Sequence, residues 1–389
     1  MEISSIDTNG FEGVDSVAAV ALDGWRVTGE ELEEELMELG HLVSTAGAAM
    51  EDVILQERNK PDPGTLVGSG KVEELAESAE ANGYEMFVFN ETLKPAQHNA
   101  LSDRIPVKVL DRTDLILEIF AQRAQSRDAK LQVELAQLQH NLPRKRGWGW
   151  ALARLGGGIG TRGPGEQKST IKERDIRERI HRLKDEIEEI RENRRTQRKR
   201  RQHIPEVSLV GYTNAGKTTL LDSFSPTDTR KENQLFATLD TKTRRVHLEG
   251  DRYFLMTDTV GFIQRMPDKL QEAFKATMEE IGRSDCLMHL IDVSSTRVDD
   301  KIETVNDVLK ELDLEGVHKF RVFNKIDQVD QPVVERFKER FPEAYFVSAT
   351  EGTGLTKLKE DIYRYFLDNG LVDRPDYAEN IPLEGAITA

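Results

Sequence analysis

The sequence predicts an α/β protein with two domains, each built on a mostly parallel sheet, and a long antiparallel helical hairpin between them. Apolar runs typical of strands alternate with amphipathic helical patterns in both the first and the last third of the chain, and this alternation favours parallel sheets. In the middle third, leucine and isoleucine recur at helical spacings on both sides of a glycine-rich stretch. The 389 residues are 38% hydrophobic and 32% charged, as expected for two or three folded domains with a highly charged surface.

The composition excludes several classes of protein. A single cysteine, Cys286, rules out an intramolecular disulfide and a cysteine-based zinc cluster, which suits a reducing cytoplasm. The first residues lack the basic and apolar regions of a signal peptide, and no run approaches the ~18 apolar residues of a membrane span. A net charge of −16 disfavours bulk attraction to nucleic acid. We therefore expect a cytoplasmic protein with no DNA partner, in which any RNA contact comes from a local basic patch.

Changes in pattern along the chain predict its domain limits. "VAAVAL" and "YEMFVFNE" are typical of strands, whereas "EELEEELMELGHLVSTAG" is amphipathic with helical spacing. "KVEELAESAEANG" predicts a second helix that ends at Gly83. The predicted organisation is a flexible N-terminus over 1–16, an α/β domain over 17–113, the hairpin over 114–203, the second α/β domain over 204–367 and a tail over 368–389.

The middle segment has the seam of two packed helices. Between its two halves, the glycine stretch must reverse the chain, which favours a projecting antiparallel hairpin. Two separate helices packed on a globular core are the alternative. The seam residues are Leu131, Leu135, Leu138 and Leu142 on the first helix, and Ile176, Ile180, Leu183, Ile187 and Ile190 on the second.

A phosphate-binding loop is predicted in "EVSLVGYTNAGKTTLLDSF", which has the pattern of a strand, a loop and a helix. Gly211, Gly216, Lys217 and Thr218 satisfy G-x-x-x-x-G-K-[ST]. The glycines let backbone N–H groups approach phosphates, and the helix presents its positive N-terminus to them. Lys217 is expected to reach the β- and γ-phosphates, and the Thr218 hydroxyl is expected to bind Mg²⁺.

Two further segments extend this site. "YFLMTDTVGF" predicts a strand that ends at Asp258, whose carboxylate is placed to bind Mg²⁺, with the Gly261 N–H placed to sense the γ-phosphate. "NQLFATLD" offers Thr238 in a polar segment that can close over the metal as a switch.

The remaining segments predict which base is bound. "FRVFNKID" is a strand pattern that ends in Asn324, Lys325 and Asp327, and "YFVSAT" brings Ser348 and Ala349 near the base. An aspartate accepts two hydrogen bonds from the N1–H and 2-amino groups of guanine, and adenine lacks that pair of donors. Together the five segments predict a GTPase that uses GTP and Mg²⁺.

The predicted site residues fall into three groups. Lys217, Thr238 and Gly261 are the candidate catalytic residues, and Thr218, Thr238 and Asp258 are the candidate metal ligands. The candidate nucleotide-binding residues are Gly211, Tyr212, Thr213, Asn214, Ala215, Gly216, Lys217, Thr218, Thr219, Phe236, Ala237, Thr238, Leu239, Asp240, Asp258, Thr259, Val260, Gly261, Asn324, Lys325, Ile326, Asp327, Val347, Ser348 and Ala349.

Phe262 occupies the position at which many GTPases have a glutamine that orients the attacking water. A phenylalanine ring neither donates to water nor accepts from it. One interpretation is that Phe262 only packs and that Gln264 supplies the polar group. We favour the other, in which intrinsic hydrolysis is slow and a partner supplies or orders the missing group, an effect of about 10³–10⁵ in rate.

A second glycine-rich segment, "GTLVGSGKVEEL" over residues 64–75, does not satisfy the phosphate-loop pattern. Gly64 lies one residue too far from Gly70 and Lys71, and Val72 stands where a hydroxyl is required. We interpret this segment as a turn into a helix and not as a second nucleotide site.

The expected hairpin tip, residues 143–168, contains six basic residues and one acidic residue, a net charge of +5. Arginine beside tryptophan suits the stacking of bases while the cations contact phosphates, so the tip predicts contact with structured RNA. A flexible, solvated turn is the alternative, and the basic run over 191–201 is equally compatible with phosphate binding and with a solvated helix end. The candidate RNA contacts are Arg144, Lys145, Arg146, Trp148, Trp150, Arg154 and Arg162.

The motifs "RLGGGIGTRGPGE", "VGYTNAGKTTLL", "FATLD", "DTVGF" and "NKID" resemble those of the HflX family of translation-associated GTPases. The resemblance implies an N-terminal α/β domain with a helical hairpin, followed by a Ras-like P-loop GTPase domain. The hydrophobic Phe262 is typical of the family. The chain departs from the family pattern at Gln167, Thr170 and Lys172, which makes the base of the hairpin more basic.

The resemblance also implies a partner. It indicates binding to the large ribosomal subunit and its rRNA, with splitting or rescue of stalled ribosomes and GTP hydrolysis stimulated by the ribosome. Two alternatives remain open: a GTP-dependent RNA- or protein-binding switch in ribosome assembly, and ATP-driven RNA remodelling through the N-terminal domain. We expect a monomer.

Overall fold

A computed structural model of the chain describes residues 16–145, 164–198, 204–225, 241–248, 252–263 and 281–372. The chain divides into two compact units, which are described separately. The first unit consists of Met1–Gln122 and Lys130–Glu189, and the second of Arg123–Ala129 and Ile190–Ala389. In the described ranges, no helix has the length and apolar character needed to cross a bilayer.

The first unit contains a four-stranded sheet in the order β2-β1-β3-β4, and every pair of neighbouring strands is parallel. β1 and β3 are the central strands, and the side chains of β3 are all buried, as are all but the last in β1. This explains their uninterrupted apolar sequences. The strands are β1 Val17–Asp23, β2 Met50–Glu57, β3 Met86–Phe89 and β4 Lys108–Asp111; the helices that follow them in turn are α1 Glu30–Ala46, α2 Ser69–Asn82, α3 Pro95–Ser102 and α4 Arg112–Arg123.

The segment over residues 64–75 is a turn that leads into α2. Asp62 and Leu66 form a short backbone bridge, and the side chains of Thr65, Leu66 and Val67 are buried before the helix begins at Ser69. The helix ends at Gly83, whose φ of 72° is the left-handed conformation predicted for its C-cap.

Two long helices, α5 Arg127–Lys145 and α6 Pro164–Arg198, form the middle segment. Leu131, Leu135 and Leu138 are buried on α5, and Leu183 and Ile187 are buried on α6. These are members of the predicted seam. Arg179 on α6 donates to both carboxylate oxygens of Glu134 on α5, at 2.7 and 2.8 Å, which links the two helices directly.

The second unit contains a six-stranded sheet in the order β10-β9-β8-β5-β7-β6. Only the pairing of β6 with β7 is antiparallel. The α/β fold class, with a mostly parallel sheet in the GTPase domain, is therefore confirmed. The strands are β5 Glu206–Gly211, β6 Lys242–His247, β7 Tyr253–Asp258, β8 Cys286–Asp292, β9 Lys319–Asn324 and β10 Tyr345–Phe346; the helices are α7 Lys217–Phe224, α8 Val298–Glu311, α9 Gln331–Arg340 and α10 Leu355–Asp368.

The topology of the second sheet places the predicted motifs at one edge. The parallel strands β5, β7, β8 and β9 end at Gly211, Asp258, Asp292 and Asn324. Because the carboxyl ends of parallel strands meet at the same edge, the loops that follow them converge there, which is where α/β proteins bind their ligands.

Candidate nucleotide-binding site

The loop between β5 and α7 has a backbone that requires glycine at two positions. At Gly211, a Cβ atom would overlap the backbone carbonyl oxygen of Leu290 on β8. At Gly216, φ is 93° and a Cβ atom would overlap the amide nitrogen of Asn324. Asn214, within the loop, also has a positive φ of 62°. The loop thus reaches its shape by lying close to the neighbouring strands.

Lys217, the first residue of α7, is buried, with 7% of its surface exposed. Its Nζ donates to the carbonyl oxygens of Gly211 at 3.0 Å and Tyr212 at 2.9 Å. Burial lowers the pKa of the Lys217 ammonium to about 8, while the negative charge of Asp258 acts in the opposite direction. The lysine therefore lies against the loop that is predicted to hold the phosphates.

The two candidate metal ligands of the described chain, Thr218 and Asp258, meet. The Thr218 hydroxyl donates to Oδ2 of Asp258 at 2.7 Å, although the two residues are 40 positions apart in sequence. Asp258 is completely buried at the end of β7. Thr259 fixes the next turn, because its hydroxyl donates to the carbonyl oxygen of Leu209 at 2.5 Å.

The segment after Asp258 pairs with the phosphate loop through the backbone. The N–H of Phe262 donates to the Gly211 carbonyl at 3.1 Å, and the N–H of Thr213 donates to the Phe262 carbonyl at 2.6 Å. Gly261 packs so closely that an added Cβ would lie 2.9 Å from Nζ of Lys217. Phe262 is buried, with 1% of its surface exposed, and Val260, two positions earlier, is buried as well. Phe262 therefore packs in the interior, and Gln264 lies outside the described residues.

Asn324 joins three loops. Its Nδ2 donates to the Ala215 carbonyl in the phosphate loop at 2.9 Å, and its Oδ1 accepts from the Ala349 N–H at 3.0 Å. Asn324 is 2% exposed. One buried amide thus connects the phosphate loop, the end of β9 and the loop after β10.

The other base-side residues follow in the same loops. Asp327 lies exposed in a short 3-10 turn, and the Ile326 N–H donates to the Val347 carbonyl at 3.3 Å. Ser348 is buried. Lys325 has a left-handed φ of 66° and forms an ion pair with Asp292 at 2.7 Å. Asp292 lies outside the predicted motifs, although an aspartate at the end of the buried run "CLMHLID" is a signal of a site at that strand end.

Several predicted residues lie outside the described part of the chain, and their predicted roles stay predictions. Lys145 ends α5. The residues outside the described ranges are Phe236, Ala237, Thr238, Leu239 and Asp240 in the switch segment, and Arg146, Trp148, Trp150, Arg154 and Arg162 in the hairpin tip.

Arg144 was predicted to contact RNA, but its side chain is buried in the first unit. The residue is 5% exposed, and its guanidinium donates to Asp111 at 2.6 Å and to Asp114 at 2.7 Å. His140 lies 3.0 Å from the same Asp114 carboxylate. This contradicts the prediction that Arg144 contacts RNA, because the residue is buried and both of its terminal nitrogens are hydrogen-bonded to carboxylates of the first unit. The residue joins the end of α5 to the carboxyl end of β4.

The charges in this cluster explain its pKa values. Burial raises the pKa of Asp111 to about 6, with the nearby charge of Asp114 adding to the effect of burial. Burial also acts to raise the pKa of Asp114, but hydrogen bonding to His140 and the charge of Arg144 bring it well below the ordinary value. Asp111, Asp114 and His140 present atoms of the metal-ligating type within 4.8 Å of one another. The guanidinium already supplies the positive charge there, so we assign the cluster to the structure of the unit.

Three family models match the chain in sequence order. Residues 33–121 match "GTP-binding GTPase N-terminal" and residues 123–201 match "GTP-binding GTPase Middle Region". Residues 206–325 match "50S ribosome-binding GTPase". The last match contains β5 to β9 and therefore the phosphate loop, Asp258, Asn324 and Lys325, and it ends two residues before Asp327.

Relatives that match over most of their length decide the family. GTPase HflX of Caldanaerobacter subterraneus subsp. tengcongensis is 44% identical over 340 residues, which cover 87% of this chain and 78% of that protein. The chain belongs to the HflX family. GTPase HflX of Escherichia coli strain K12 is 42% identical over 330 residues, covering 84% of this chain and 77% of the relative. As an HflX protein, the chain is a GTP hydrolase.

A solved structure gives the same fold. SsGBP in complex with GDP is 24% identical to this HflX protein, with a TM-score of 0.51 over 91% of this chain and 99% of that one. At this identity the likeness shows the fold alone.

Proposed function

We propose that this HflX protein binds Mg²⁺ and GTP at the carboxyl edge of the second sheet. The backbone of residues 211–219 and the Lys217 ammonium hold the phosphates, and the Gly261 N–H senses the γ-phosphate. Asn324, Lys325 and Asp327, with residues 347–349, hold the guanine. The observation that carries this assignment is the convergence of the phosphate loop and the base-side loops on Asn324.

The residues present fit a magnesium ion. Mg²⁺ prefers hard oxygen ligands and is commonly held by one or two protein groups together with phosphate oxygens. The Thr218 hydroxyl and the Asp258 carboxylate are such ligands, and they lie 2.7 Å apart. Thr238 completes the proposed set. When bound, Mg²⁺ neutralises charge on the phosphate oxygens.

Hydrolysis transfers the γ-phosphoryl group of GTP to water and leaves GDP. The Lys217 ammonium and the loop N–H groups stabilise the charge that develops on the phosphate oxygens. The ring of Phe262 is apolar and buried, so it does not orient the attacking water. We infer that intrinsic hydrolysis is slow and that a partner supplies or orders the missing polar group.

We infer that this partner is the large ribosomal subunit. The second unit matches a family described as 50S ribosome-binding, and the tip over 143–168 is basic within an acidic chain. Arginine, tryptophan and glycine in that segment suit contact with rRNA. On this proposal the protein acts as a cytoplasmic monomer that splits or rescues stalled ribosomes, with GTP hydrolysis releasing it from the subunit.

The test is GTP turnover with and without purified large subunits, measured on the natural chain and on a variant with residues 151–165 replaced by a neutral linker of equal length. We expect the subunits to accelerate hydrolysis by the natural chain about 10³-fold or more. The linker variant should keep the intrinsic rate and lose the acceleration. Equal rates with and without subunits would show that the large subunit is not the stimulating partner. Equal acceleration of both proteins would show that residues 151–165 are not needed for the contact.

A further inference from the structure

Lys325 is held by a residue outside every motif identified in the sequence. Its Nζ lies 2.7 Å from Oδ2 of Asp292, and each side chain has 19% of its surface exposed. Asp292 ends β8, and Lys325 follows the last residue of β9. The lysine side chain therefore crosses between two adjacent strand ends, at the edge where the proposed guanine site lies.

The Asp292 end of this ion pair is fixed by other contacts, and the two strand ends that carry the pair are joined by the backbone. The second carboxylate oxygen of Asp292 accepts from the N–H of Ser294 at 2.9 Å and from its hydroxyl at 2.6 Å. The backbone of β8 also continues its pairing with β9, because the Val293 N–H donates to the Asn324 carbonyl at 3.1 Å. Asp292 presents one immobile oxygen to the lysine.

We propose that Asp292 is a positioning residue for guanine binding. By holding the ammonium, it keeps the apolar stem of Lys325 extended across the base-side edge as a surface on which a purine ring lies. The inference rests on the proposed assignment of residues 324–327 to the base. It adds a residue that touches Lys325 and not the nucleotide.

The physical reason is conformational entropy. A free lysine side chain loses its rotamer freedom when a ligand packs on it, and this loss weakens binding. Asp292 has already ordered the side chain before the nucleotide arrives, which is the advantage of preorganisation. The effect is independent of the groups on the edge of the base, because only the stem contacts the ring.

The experiment is a titration of the full chain with fluorescently labelled GDP, followed by competition with unlabelled GDP and IDP. IDP lacks the 2-amino group that Asp327 is proposed to recognise. Asp292→Asn should weaken both nucleotides by the same factor of about 10, which corresponds to about 1.4 kcal/mol. A change confined to GDP would indicate damage to the Asp327 contact and would overturn the inference.

A double-mutant cycle separates positioning from a general structural effect. Lys325→Met keeps an apolar stem of similar length and removes the ammonium. If Asp292 acts through Lys325, Asp292→Asn causes no further loss in the Lys325→Met background. A tenfold loss that persists in that background would contradict the proposal, even if the melting temperature is unchanged.

Asp299→Asn is the matched control, because Asp299 also forms an ion pair with a basic side chain, Arg340 at 2.8 Å, but lies on the exposed surface of α8. Its nucleotide affinity should equal that of the natural chain. If the natural protein binds GDP and the Asp292→Asn variant binds it equally well, this inference is wrong and the proposed site still stands. If the natural protein binds no guanine nucleotide, both the proposed site and this inference are wrong.

Discussion

At the scale of single residues, the burial of Lys217 couples nucleotide binding to a proton. In the free protein its pKa is lowered to about 8, so the amine loses its proton above that pH. Bound phosphates would favour the ammonium and raise its pKa, so the complex keeps a proton that the free protein has lost. Well below pH 8 both states are protonated and the linkage vanishes.

We therefore predict that the Kd for GDP is constant up to about pH 7.5 and then rises toward a limiting slope of about tenfold per pH unit. Calorimetric titration at pH 9 in two buffers of different ionisation enthalpy measures the proton uptake directly. Binding at pH 9 with no net proton uptake would show that Lys217 does not titrate between the free and bound states.

Asp327 carries the second prediction at this scale. Replacing it by asparagine exchanges one acceptor for a donor, so the 2-amino group of guanine loses its partner, whereas the 2-carbonyl of xanthine gains one. Since hydrogen bonds to a charged group contribute about 1.5–3 kcal/mol, the affinity for GDP should fall about 10- to 100-fold or more. Affinity for XDP should rise, as measured by competition; a variant that still prefers GDP would contradict the assignment of the base site.

At the scale of the elements, Arg144 connects α5 to β4 through its contact with Asp111. Arg144→Met would leave the buried Asp111 and the partly buried Asp114 without their cation. Losing one partner of a buried ion pair typically costs about 3–5 kcal/mol. We predict a loss of that size in the free energy of unfolding of the first unit, measured by urea titration with circular dichroism.

A matched control for that variant is Arg174→Met on α6. Arg174 pairs with Glu178 at 2.9 Å, but both side chains are mostly exposed. The change should cost about 0–1 kcal/mol. Equal losses in the two variants would show that burial of the Arg144 cluster contributes no additional stability.

The elements that sequence analysis predicted well are those whose signal is local. The strand that ends at Asp258 and the C-cap at Gly83 each lie within one short pattern. β2 and α3 were not identified: β2 alternates irregularly between exposed and half-buried residues, and α3 is only eight residues long. Neither presents a clear period.

Arg144 shows why contacts between distant residues could not be predicted from the sequence. In the sequence it stands within a basic, glycine-rich segment, so its neighbours indicated a surface role. Its partners, Asp111 and Asp114, are 33 and 30 positions away, and nothing in the local pattern connects them. The same holds for Asp292 and Lys325, which meet only because β8 and β9 are adjacent. Contacts of this kind depend on the assembled sheet.

At the scale of the whole molecule, the distribution of charge governs the proposed RNA contact. The chain has a net charge of −16, yet five basic residues remain in the tip over 143–168 once Arg144 is excluded. If each neutralises one phosphate of a single-stranded region, the logarithm of the affinity should fall with the logarithm of salt with a slope of about −3 to −4.

That slope is measurable by co-sedimentation with large subunits between 50 and 200 mM KCl in the presence of a non-hydrolysable GTP analogue. The variant with the neutral linker over 151–165 removes Arg154 and Arg162, so its slope should be shallower by about 1–2. Identical slopes would place the RNA contact on another surface of the molecule.

The contacts of Asn324 have a consequence for how this protein can change over evolutionary time. Its side chain ties the phosphate loop to the loop after β10, whereas Asp327, three residues on, lies exposed in a turn. A lineage is therefore free to explore new base preferences at Asp327 one substitution at a time. Position 324 offers no such path, because a replacement that removes its side-chain amide also removes the hydrogen bond to the phosphate loop, so the preference for a base can change more readily than the way the phosphates are held.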